Sequence, residues 1–494
     1  MRTRLARALL AAIAIGTALV ASPPGAQSQD ADIALPRYQG YIAVAPEGRY
    51  FVDEAGQGFL VIGQNDGVDW PGLATLLDRS SPDSTEKYIM DLRAHGVTVS
   101  RVMIEYAEDA ATFLENPVGE FSPRIVQFWD DLLPLAEKHG LYLLLTPYDP
   151  FWITRTQWDT RYPYNAKFGG PCESKRDWIT GAACVEAQKN RWRFIIERWG
   201  NSPAIFAWDL LNEADIFWDA APDEVAAYVD EMAAFVRDLE LETWGRAHML
   251  TVSSAASVPE GVLADTIYRH PLLDFATTHH YPAPEVNRPE DPIGAAPVVM
   301  RVVWESLNAI EDNRPYFDSE SGPIERWIGD PKFDAEYHHN MIWAHLASGG
   351  AGSGMRWPYT FPHWILPELR DNLLGMARFA STIDWAHFPS RNISLNVAVE
   401  REGVIRAGCA DGATAIIWLL ADTRNGREVT LPGATVRLND VLADSAYTVQ
   451  FWETYQGVVL GEVEARVDGG MLEVTLPDFN VNLKDLALVL RPAQ

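Results

Sequence analysis

The chain of 494 residues is acidic: 68 Asp and Glu stand against 40 Lys and Arg, for a formal net charge of -28. This surplus of negative charge repels nucleic acid and anionic membranes, so we expect neither as a partner. A neutral substrate is compatible with the charge, and the length predicts two or more domains.

Residues 1–28 are typical of a secretory signal peptide. Arginines near the start precede an apolar run at residues 8–21, and Ala26-Gln27-Ser28 offers a small-residue cleavage site. No later segment is continuously apolar over a length that spans a bilayer. We therefore expect a secreted or periplasmic protein after this segment is removed, with no membrane anchor.

A hairpin is predicted next, at residues 41–64, with strand-like runs at 49–52 and 59–62 around a turn rich in Asp and Gly. Asp83-Ser84-Thr85-Glu86 matches a capping box and predicts the start of a helix that ends at His95-Gly96. From this point strand and helix patterns alternate along the chain.

The alternation predicts the fold of the larger part of the protein. Further strands are expected at residues 97–104, 141–146, 206–211, 248–252, 274–281, 316–319 and 352–359, and helices at 122–140, 187–199, 223–241, 298–310, 335–347 and 369–383. These make eight units over about 320 residues, which favours an α/β fold of the (β/α)8 TIM barrel type at residues 37–385. A doubly wound open sheet is the rival fold, but no Gly-rich phosphate turn follows the first strand.

Residues 390–494 have a different pattern. Short alternating runs such as residues 414–420, 447–452, 472–476 and 486–490 are separated by Gly, Asp and Pro. This pattern predicts a C-terminal antiparallel β-sandwich. It lacks an obvious row of exposed aromatic residues, so we expect it to pack against the barrel rather than to bind carbohydrate.

The three cysteines predict one disulfide at most. Cys172 and Cys184 lie close together in a loop rich in Gly, Pro and charge, where a bond would stabilise the loop by about 3 kcal/mol; two free thiols are the alternative. Cys409 lies in a strand-like run and is expected to be a small buried residue. No Cys and His cluster has zinc spacing, so we expect no metal and no cofactor.

Two stretches far apart in the sequence share one pattern. An apolar run ends in Asn212-Glu213, and a second one, from Pro315, ends in Glu320 and then Gly322. Two strand-end carboxylates are what a retaining glycosidase needs, one as proton donor and one as nucleophile. The alternative for each alone is a solvated loop acid.

The carboxyl ends of barrel strands converge on one face, so polar residues at those ends share a single pocket. In chain order they are Asn65, Arg101, Tyr148 with Asp149, Asn212 with Glu213, His279 with Tyr281, Glu320 and Trp357. This set resembles glycoside hydrolase family 5 and its neighbours among the retaining (β/α)8 glycosidases, over about residues 37–384.

The resemblance implies catalytic roles for two residues. Asn212-Glu213 resembles the fourth-strand pair whose glutamate is the acid and base, and Glu320 is similar to the seventh-strand nucleophile. By the same resemblance Asn212 would bind the sugar 2-hydroxyl. The chemistry agrees: the acid must start protonated, and a nearby negative charge raises its pKa.

Four more residues match the family pattern as substrate-site residues: Arg101, His279, Tyr281 and Trp357. We expect Arg101 and Tyr281 to hold down the pKa of the nucleophile and Trp357 to floor the cleavage subsite. Arg101 paired with a structural acid, and His279 bonded to a backbone carbonyl in the core, are the alternatives.

Asn65 and Tyr148 complete the expected substrate-binding set. The sequence departs from the family at Tyr148 with Asp149, where many cellulases carry histidine, and at Ser319, where glycine or alanine is frequent. These departures do not change the expected chemistry, but they leave open which sugar the protein acts on.

The resemblance thus implies a retaining β-glycosidase that hydrolyses a β-linked poly- or oligosaccharide, of the endo-β-1,4-mannanase or glucanase type. An exo-acting β-glycosidase of the same group is the first alternative. A barrel that binds carbohydrate without catalysis is the second, and it would require a lost carboxylate, whereas both are present.

Overall fold

The computed structural model describes residues 34–105, 112–217, 219–282, 291–322, 331–358, 363 and 365–493. These described residues belong to one compact unit. The predicted signal segment, residues 1–28, lies outside the described residues.

A small antiparallel sheet precedes the barrel. Its strands are β1 (Ala43–Val44), β2 (Phe51–Val52) and β3 (Gly58–Phe59). The Asp53 carboxylate accepts hydrogen bonds from the backbone N–H groups of Ala55 and Gln57, which closes the turn between β2 and β3. The sequence predicts one strand over residues 59–62. In the structure Phe59 still pairs with β2, whereas Val61 begins the first barrel strand.

The described residues include an eight-stranded parallel sheet curved into a barrel. Its strands are β4 (Val61–Asp66), β5 (Val99–Met103), β6 (Tyr142–Thr146), β7 (Ile205–Asp209), β8 (Met249–Thr251), β9 (Ala276–His280), β10 (Tyr316–Ser321) and β11 (Gly352–Arg356). The strand order is β8-β7-β6-β5-β4-β11-β10-β9. Between β8 and β9, the Asp274 N–H donates to the Leu250 carbonyl at 2.9 Å and the His279 N–H to Ser254 at 2.7 Å. The prediction of a TIM barrel is confirmed.

Helices cover the outside of this barrel. They are α1 (Ala74–Leu77), α2 (Pro82–Ala94), α3 (Pro123–His139), α4 (Pro150–Trp152), α5 (Lys175–Thr180), α6 (Ala182–Trp199), α7 (Pro222–Trp244), α8 (Gly261–Arg269), α9 (Ala295–Ala309), α10 (Pro331–Ala347) and α11 (Pro367–Ala380). Several begin at a proline, because the first turn has no intrahelical use for the missing N–H.

The predicted capping box at Asp83 is wrong in detail. The helix begins one residue earlier, at Pro82, and its N-cap Ser81 makes no side-chain capping bond. Asp83 lies in the first helical turn, where a carboxylate interacts favourably with the helix dipole.

A cluster of phenyl rings fills the amino-terminal end of the barrel. Phe317 lies 5.3 Å from Phe275 and 6.4 Å from Phe206 between ring centroids. Phe51, from the small sheet below the barrel, lies 5.1 Å from Phe206. The hairpin therefore closes this end of the barrel with apolar surface.

The C-terminal part is a nine-stranded antiparallel sheet, among the described residues, that curls on itself, as the β-sandwich prediction requires. Its strands are β12 (Arg391–Asn392), β13 (Val397–Val399), β14 (Val404–Ala410), β15 (Ala415–Ala421), β16 (Thr435–Asn439), β17 (Ala446–Glu453), β18 (Val458–Asp468), β19 (Met471–Thr475) and β20 (Asp485–Pro492). The long β18 pairs with β17 over most of its length and with β19 at its end, so that it turns the sheet over.

One face of this sheet packs on α10 and α11. Asp485 is buried there, and its carboxylate interacts with His339 Nε2 of α10 at 3.0 Å and accepts from Trp418 Nε1 at 2.6 Å. On α11, a Cβ at Gly375 would lie 2.4 Å from the carbonyl oxygen of Tyr455, so glycine permits the close approach.

Cys172 and Cys184 are joined by a disulfide, and Cys409 is a buried free thiol.

Within the described part of the chain, helices fall short of the length and apolar character needed to cross a bilayer.

Candidate active site

A β-bulge decides where Glu320 points. Phe317 faces the barrel interior, where it contacts Phe275, and Asp318 faces the helices, where its carboxylate lies 3.8 Å from His345 Nε2 of α10. Strict alternation would place Glu320 on the helix side with Asp318. Instead the register with β9 shifts between Asp318 and Glu320, and the extra residue, Ser319, turns Glu320 into the barrel.

Glu213 follows β7 in a strained conformation. Its φ of 51° and ψ of 60° lie in the left-handed region, which costs a non-glycine residue about 1 kcal/mol or more. Ser253, after β8, holds this conformation: its Oγ accepts from the Glu213 N–H at 3.1 Å and its carbonyl from the Ala214 N–H at 2.9 Å. Strain supported in this way is a frequent feature of functional sites.

The two glutamates meet inside the barrel mouth. Glu213, His279 and Glu320 are all buried, and each offers one side-chain atom within 4.8 Å of the others. Carboxyl groups about 5 to 5.5 Å apart are typical of retaining glycosidases, whereas inverting enzymes separate them by about 6.5 Å or more. This pair therefore has the closer of the two spacings.

Both oxygens of Glu320 receive hydrogen bonds. Arg101 Nη1 donates to Oε1 at 2.6 Å and the Tyr281 hydroxyl donates to Oε2 at 2.7 Å. His279 Nδ1 lies 3.4 Å from the same Oε2. These donors stabilise the ionised form and fix the orientation of the carboxylate.

Arg101 connects most of the site. Its Nη2 donates to Asp209 at 2.8 Å and to Asn212 Oδ1 at 2.7 Å, and its Nη1 donates to Asn65 Oδ1 at 3.1 Å as well as to Glu320. The side chain is fully buried, and two carboxylates balance its charge. From the sequence, a structural ion pair and a site contact are alternatives for Arg101. The structure has both, because Arg101 pairs with Asp209 and also contacts Glu320.

The amide of Asn212 has a defined orientation. Its Oδ1 accepts from Arg101, and its Nδ2 donates to Asp149 Oδ1 at 2.9 Å. An amide nitrogen carries two donors, and among the described residues Asp149 is the acceptor given for one of them, which leaves the second for a ligand. That hydrogen is available for the sugar hydroxyl contact expected of this residue.

Burial raises the pKa of both glutamates, so the groups around them are what distinguishes the two residues. Burial raises the pKa of Glu213 to about 7, and the negative charge of Asp215 adds to the rise. Burial also raises the pKa of Glu320, although His279 and Arg101 oppose the rise. Arg101 and Tyr281 do act to lower the pKa of Glu320, as expected, but desolvation raises it by more, so the pKa is higher than usual and not lower. Because Glu320 has the guanidinium and the phenol as donors, we assign the proton of the pair to Glu213.

His279 is neutral in this environment. Burial lowers its pKa below the usual value, and its Nδ1 lies 2.8 Å from Glu213 Oε1. Its Nε2 makes no hydrogen bond within the described residues, whereas Nδ1 faces oxygens of both Glu213 and Glu320, so Nδ1 is the nitrogen placed to donate. The alternative of a core histidine bonded to a backbone carbonyl is not what the structure has, since Nδ1 contacts carboxylates.

The remaining expected site residues lie in different places. Trp357 is partly exposed, and its ring meets Trp70 edge to face at 5.0 Å. Tyr148 is buried beneath the site and packs on the guanidinium of Arg191 at 4.6 Å, and among the described contacts none joins it to the two glutamates. The substrate contact expected of Tyr148 stays a prediction, and the contact that the structure shows for its ring is the packing on Arg191.

Three more residues belong to the network without having been expected from the sequence: Asp209, Ser253 and Asp215. Asp215 accepts from the N–H groups of Ala255 and Ala256 at 2.7 and 2.8 Å, which ties the loop after Glu213 to the loop after β8. A signal existed for Asp209, because a carboxylate inside a buried strand requires a partner. Ser253 has no such signal.

The same three side chains, Glu213, His279 and Glu320, would match the donor set of a divalent cation. The surrounding charge argues against that use. Both Glu320 oxygens are already bonded to Arg101 and Tyr281, and the buried guanidinium adjoins the position that a cation would take.

No protein-family model matches this chain. Mannan endo-1,4-beta-mannosidase 4 of Oryza sativa subsp. japonica is 26% identical over 265 residues, which cover 48% of this chain and 55% of that protein. Mannan endo-1,4-beta-mannosidase 7 of Arabidopsis thaliana is 25% identical over 42% of this chain and 51% of that protein. The chain thus spans about half the length of these curated relatives.

The fold has a counterpart over nearly the whole chain. A glycoside hydrolase family 5 structure from Bacteroides vulgatus superimposes with a TM-score of 0.60 at 14% identity, covering 92% of this chain and 95% of that one. At this identity the likeness concerns the fold. Together with the sequence relatives it supports the resemblance to glycoside hydrolase family 5.

Proposed function

We propose that this protein is a retaining β-glycosidase that hydrolyses β-1,4-linked mannan-type poly- or oligosaccharides. The observation that carries the proposal is the buried pair Glu213 and Glu320, close together but in different environments. One has a raised pKa of about 7 and suits a proton donor. The other receives a guanidinium and a phenol and suits a nucleophile.

In the first step Glu320 attacks the anomeric carbon and forms a glycosyl ester, while the bond to the leaving oxygen breaks. Glu213 delivers its proton to that oxygen. In the second step Glu213 removes a proton from water, the water oxygen attacks the anomeric carbon, and the ester bond to Glu320 breaks. Each glutamate returns to its starting protonation state.

The donors around Glu320 serve both steps. Arg101 and Tyr281 hold its carboxylate in one orientation, which reduces the cost of reaching the attacking geometry. The free hydrogen of Asn212 Nδ2 would bind the 2-hydroxyl as charge develops on the sugar ring. Trp357 offers a partly exposed indole on which a sugar face would stack.

The choice of mannan follows the relatives, which are mannan endo-1,4-beta-mannosidases by name. Secretion or export to the periplasm belongs to the same proposal, because polysaccharides are degraded outside the cell. Endo and exo action depend on whether the cleft is open at both ends.

A trapping experiment tests the mechanism. A 2-fluoro mannoside with a good leaving group should form a stable ester, and peptide mass analysis should locate it on Glu320. Labelling of another residue, or product released with inverted anomeric configuration, would contradict double displacement.

A product profile tests the substrate. Mannan, cellulose, xyloglucan and β-1,3-glucan oligosaccharides should be compared at equal concentration, with mannan cleaved fastest. Internal cleavage products identify the endo mode, and release of single sugars identifies the exo mode. Faster turnover of cellulose than of mannan would contradict the mannan assignment and indicate a glucanase.

A leaving-group series tests the role of Glu213. Glu213→Ala should lose kcat/KM on mannan, yet retain kcat/KM on an aryl mannoside whose leaving group needs no proton, because kcat/KM reports the first step and not the second one, in which Glu213 acts as the base. An equal loss on both substrates would remove Glu213 from the acid role.

A further inference from the structure

Asn65 lies at the end of β4 with its side chain inside the barrel. It is paired in register with Arg101 of β5 and is buried. Its amide Nδ2 donates to the carbonyl oxygen of Ser319 at 2.8 Å and to that of Met355 at 3.2 Å. The amide therefore reaches from β4 across β11 to β10.

The bond to Ser319 falls on the bulge. Asp318 pairs with Thr278 and Glu320 with His279, so Ser319 has no register partner on β9. On the other side, the register between β10 and β11 contains Ser321 with Arg356 alone. A main-chain carbonyl buried at such a point needs a donor, and Asn65 supplies it.

The other end of the same amide acts on Arg101. Asn65 Oδ1 accepts from Arg101 Nη1 at 3.1 Å, and that nitrogen also donates to Glu320 at 2.6 Å. The Asn65 side chain thus contacts two groups that determine the position of Glu320. One is the main chain of the bulge at Ser319, and the other is the guanidinium of Arg101. Both functional groups of the amide are engaged with the protein.

We propose that Asn65 is a positioning residue for Glu320, holding the Ser319 bulge and Arg101 in place, rather than the substrate-binding residue expected from the sequence. The proposal rests on the proposed function, because it assigns Glu320 the nucleophilic role. Without the Asn65 donor the bulge would relax, and the alternation of the strand would draw Glu320 towards the helix side.

The expected effect is on chemistry rather than on binding. A displacement of about 1 Å in a reacting group costs up to about 100-fold in rate. Asn65→Ala should therefore slow covalent labelling by a 2-fluoro mannoside, and kcat on an aryl mannoside, by about 10- to 100-fold. The KM and the inhibition constant of a mannose-type product should stay within about twofold, because Asn65 is buried beneath the site.

A second variant separates the two functions of the amide. Asn65→Asp keeps the acceptor for Arg101 but replaces the donor that faces the Ser319 carbonyl with an oxygen. If the bulge bond matters, Asn65→Asp should be at least as slow as Asn65→Ala. Full activity of Asn65→Asp would overturn the proposal.

A matched control corrects for lost stability. Asn372 of α11 is a buried asparagine whose Nδ2 donates to the Ala335 carbonyl at 2.7 Å, outside the barrel mouth. Asn372→Ala should lower the thermal unfolding temperature as Asn65→Ala does and leave the labelling rate unchanged. If Asn65→Ala does not fold, Asn65→Ser takes its place in the same comparison.

The outcomes distinguish this proposal from the proposed function. If the wild-type protein is not labelled and does not cleave mannosides, the function itself fails. If the wild type is labelled at Glu320 and the Asn65 variants react equally fast, only the positioning role fails. A raised inhibition constant of the mannose-type product, with an unchanged maximal labelling rate, would restore Asn65 to the substrate-binding set.

Discussion

The two ends of the barrel are built from the same strands and have opposite chemistry. On β10, Phe317 belongs to the cluster of phenyl rings at the amino-terminal end, whereas Glu320, three residues later, is held by Arg101 and Tyr281 at the carboxyl-terminal end. Packing apolar rings removes no charged group from water. Every ion buried at the mouth does lose its hydration, so it needs a partner of opposite charge or a hydrogen-bond partner. Stability and reactivity are therefore separated along a single strand.

The two ends also differ in how strongly they depend on pH and on exact geometry. At the amino-terminal end the rings contribute through buried area, which is independent of pH. At the mouth the carboxylates, the neutral histidine and the strained backbone of Glu213 are arranged for charge and geometry at some cost in stability. Substitutions at the two ends should therefore change different measurements.

The largest effect is expected at Glu320. Glu320→Ala removes the proposed nucleophile and should lower kcat/KM on mannan by at least about 10⁴-fold. The thermal unfolding temperature should change little, because Asp209 still balances Arg101. Retention of more than a tenth of the activity would contradict the proposed separation.

Phe317 provides the matched test on the same strand. Phe317→Ala should lower the free energy of unfolding by about 3 to 5 kcal/mol, because it leaves a cavity among the phenyl rings. Chemical denaturation measures this loss. The kcat of the folded fraction should stay within about threefold of the wild type, and a larger drop would show that the two ends are coupled through β10.

Arg101 tests how far the mouth depends on geometry rather than on charge. Arg101→Lys keeps a cation beside Asp209 and Glu320 but cannot bridge four acceptors with one planar group. We expect a loss of about 100-fold in kcat, measured on an aryl mannoside, with a smaller rise in KM. Wild-type kcat in this variant would mean that charge alone is sufficient.

The smallest effect is the pH dependence of Glu213. Burial raises the pKa of this residue from 4.5 to about 7, so the folded protein binds the proton more tightly than the unfolded chain. The resulting stabilisation is complete below about pH 4.5 and is lost as the pH rises through 7. Glu213→Gln stays neutral, so it should be more stable than the wild type by about 3 kcal/mol at pH 8.5 and nearly equal at pH 4.5.

The same proton sets the alkaline side of the activity profile. The kcat/KM of the wild type on mannan should fall above about pH 7 as Glu213 loses its proton. On an aryl mannoside that needs no acid, Glu213→Gln should lack this decline. A decline at the same pH in that variant would assign it to another group, such as Asp149, whose pKa burial also raises to about 7.

Much of the fold and the membership of the site can be read from the sequence. Alternating strand and helix patterns determine a barrel, and a parallel barrel brings all carboxyl strand ends to one face. For this reason the sequence alone predicts that six residues lie together: Arg101, Asn212, Glu213, His279, Tyr281 and Glu320. The antiparallel C-terminal sheet follows from local alternation in the same way.

The direction of individual side chains was decided only by the tertiary structure. The period of two places Glu320 on the side of Asp318, and the bulge at Ser319 reverses it. Tyr148 and Asn65 likewise follow strands yet meet protein groups beneath the mouth. The physical reason is that a strand pattern is local, whereas register, bulges and buried hydrogen bonds depend on partners hundreds of residues away.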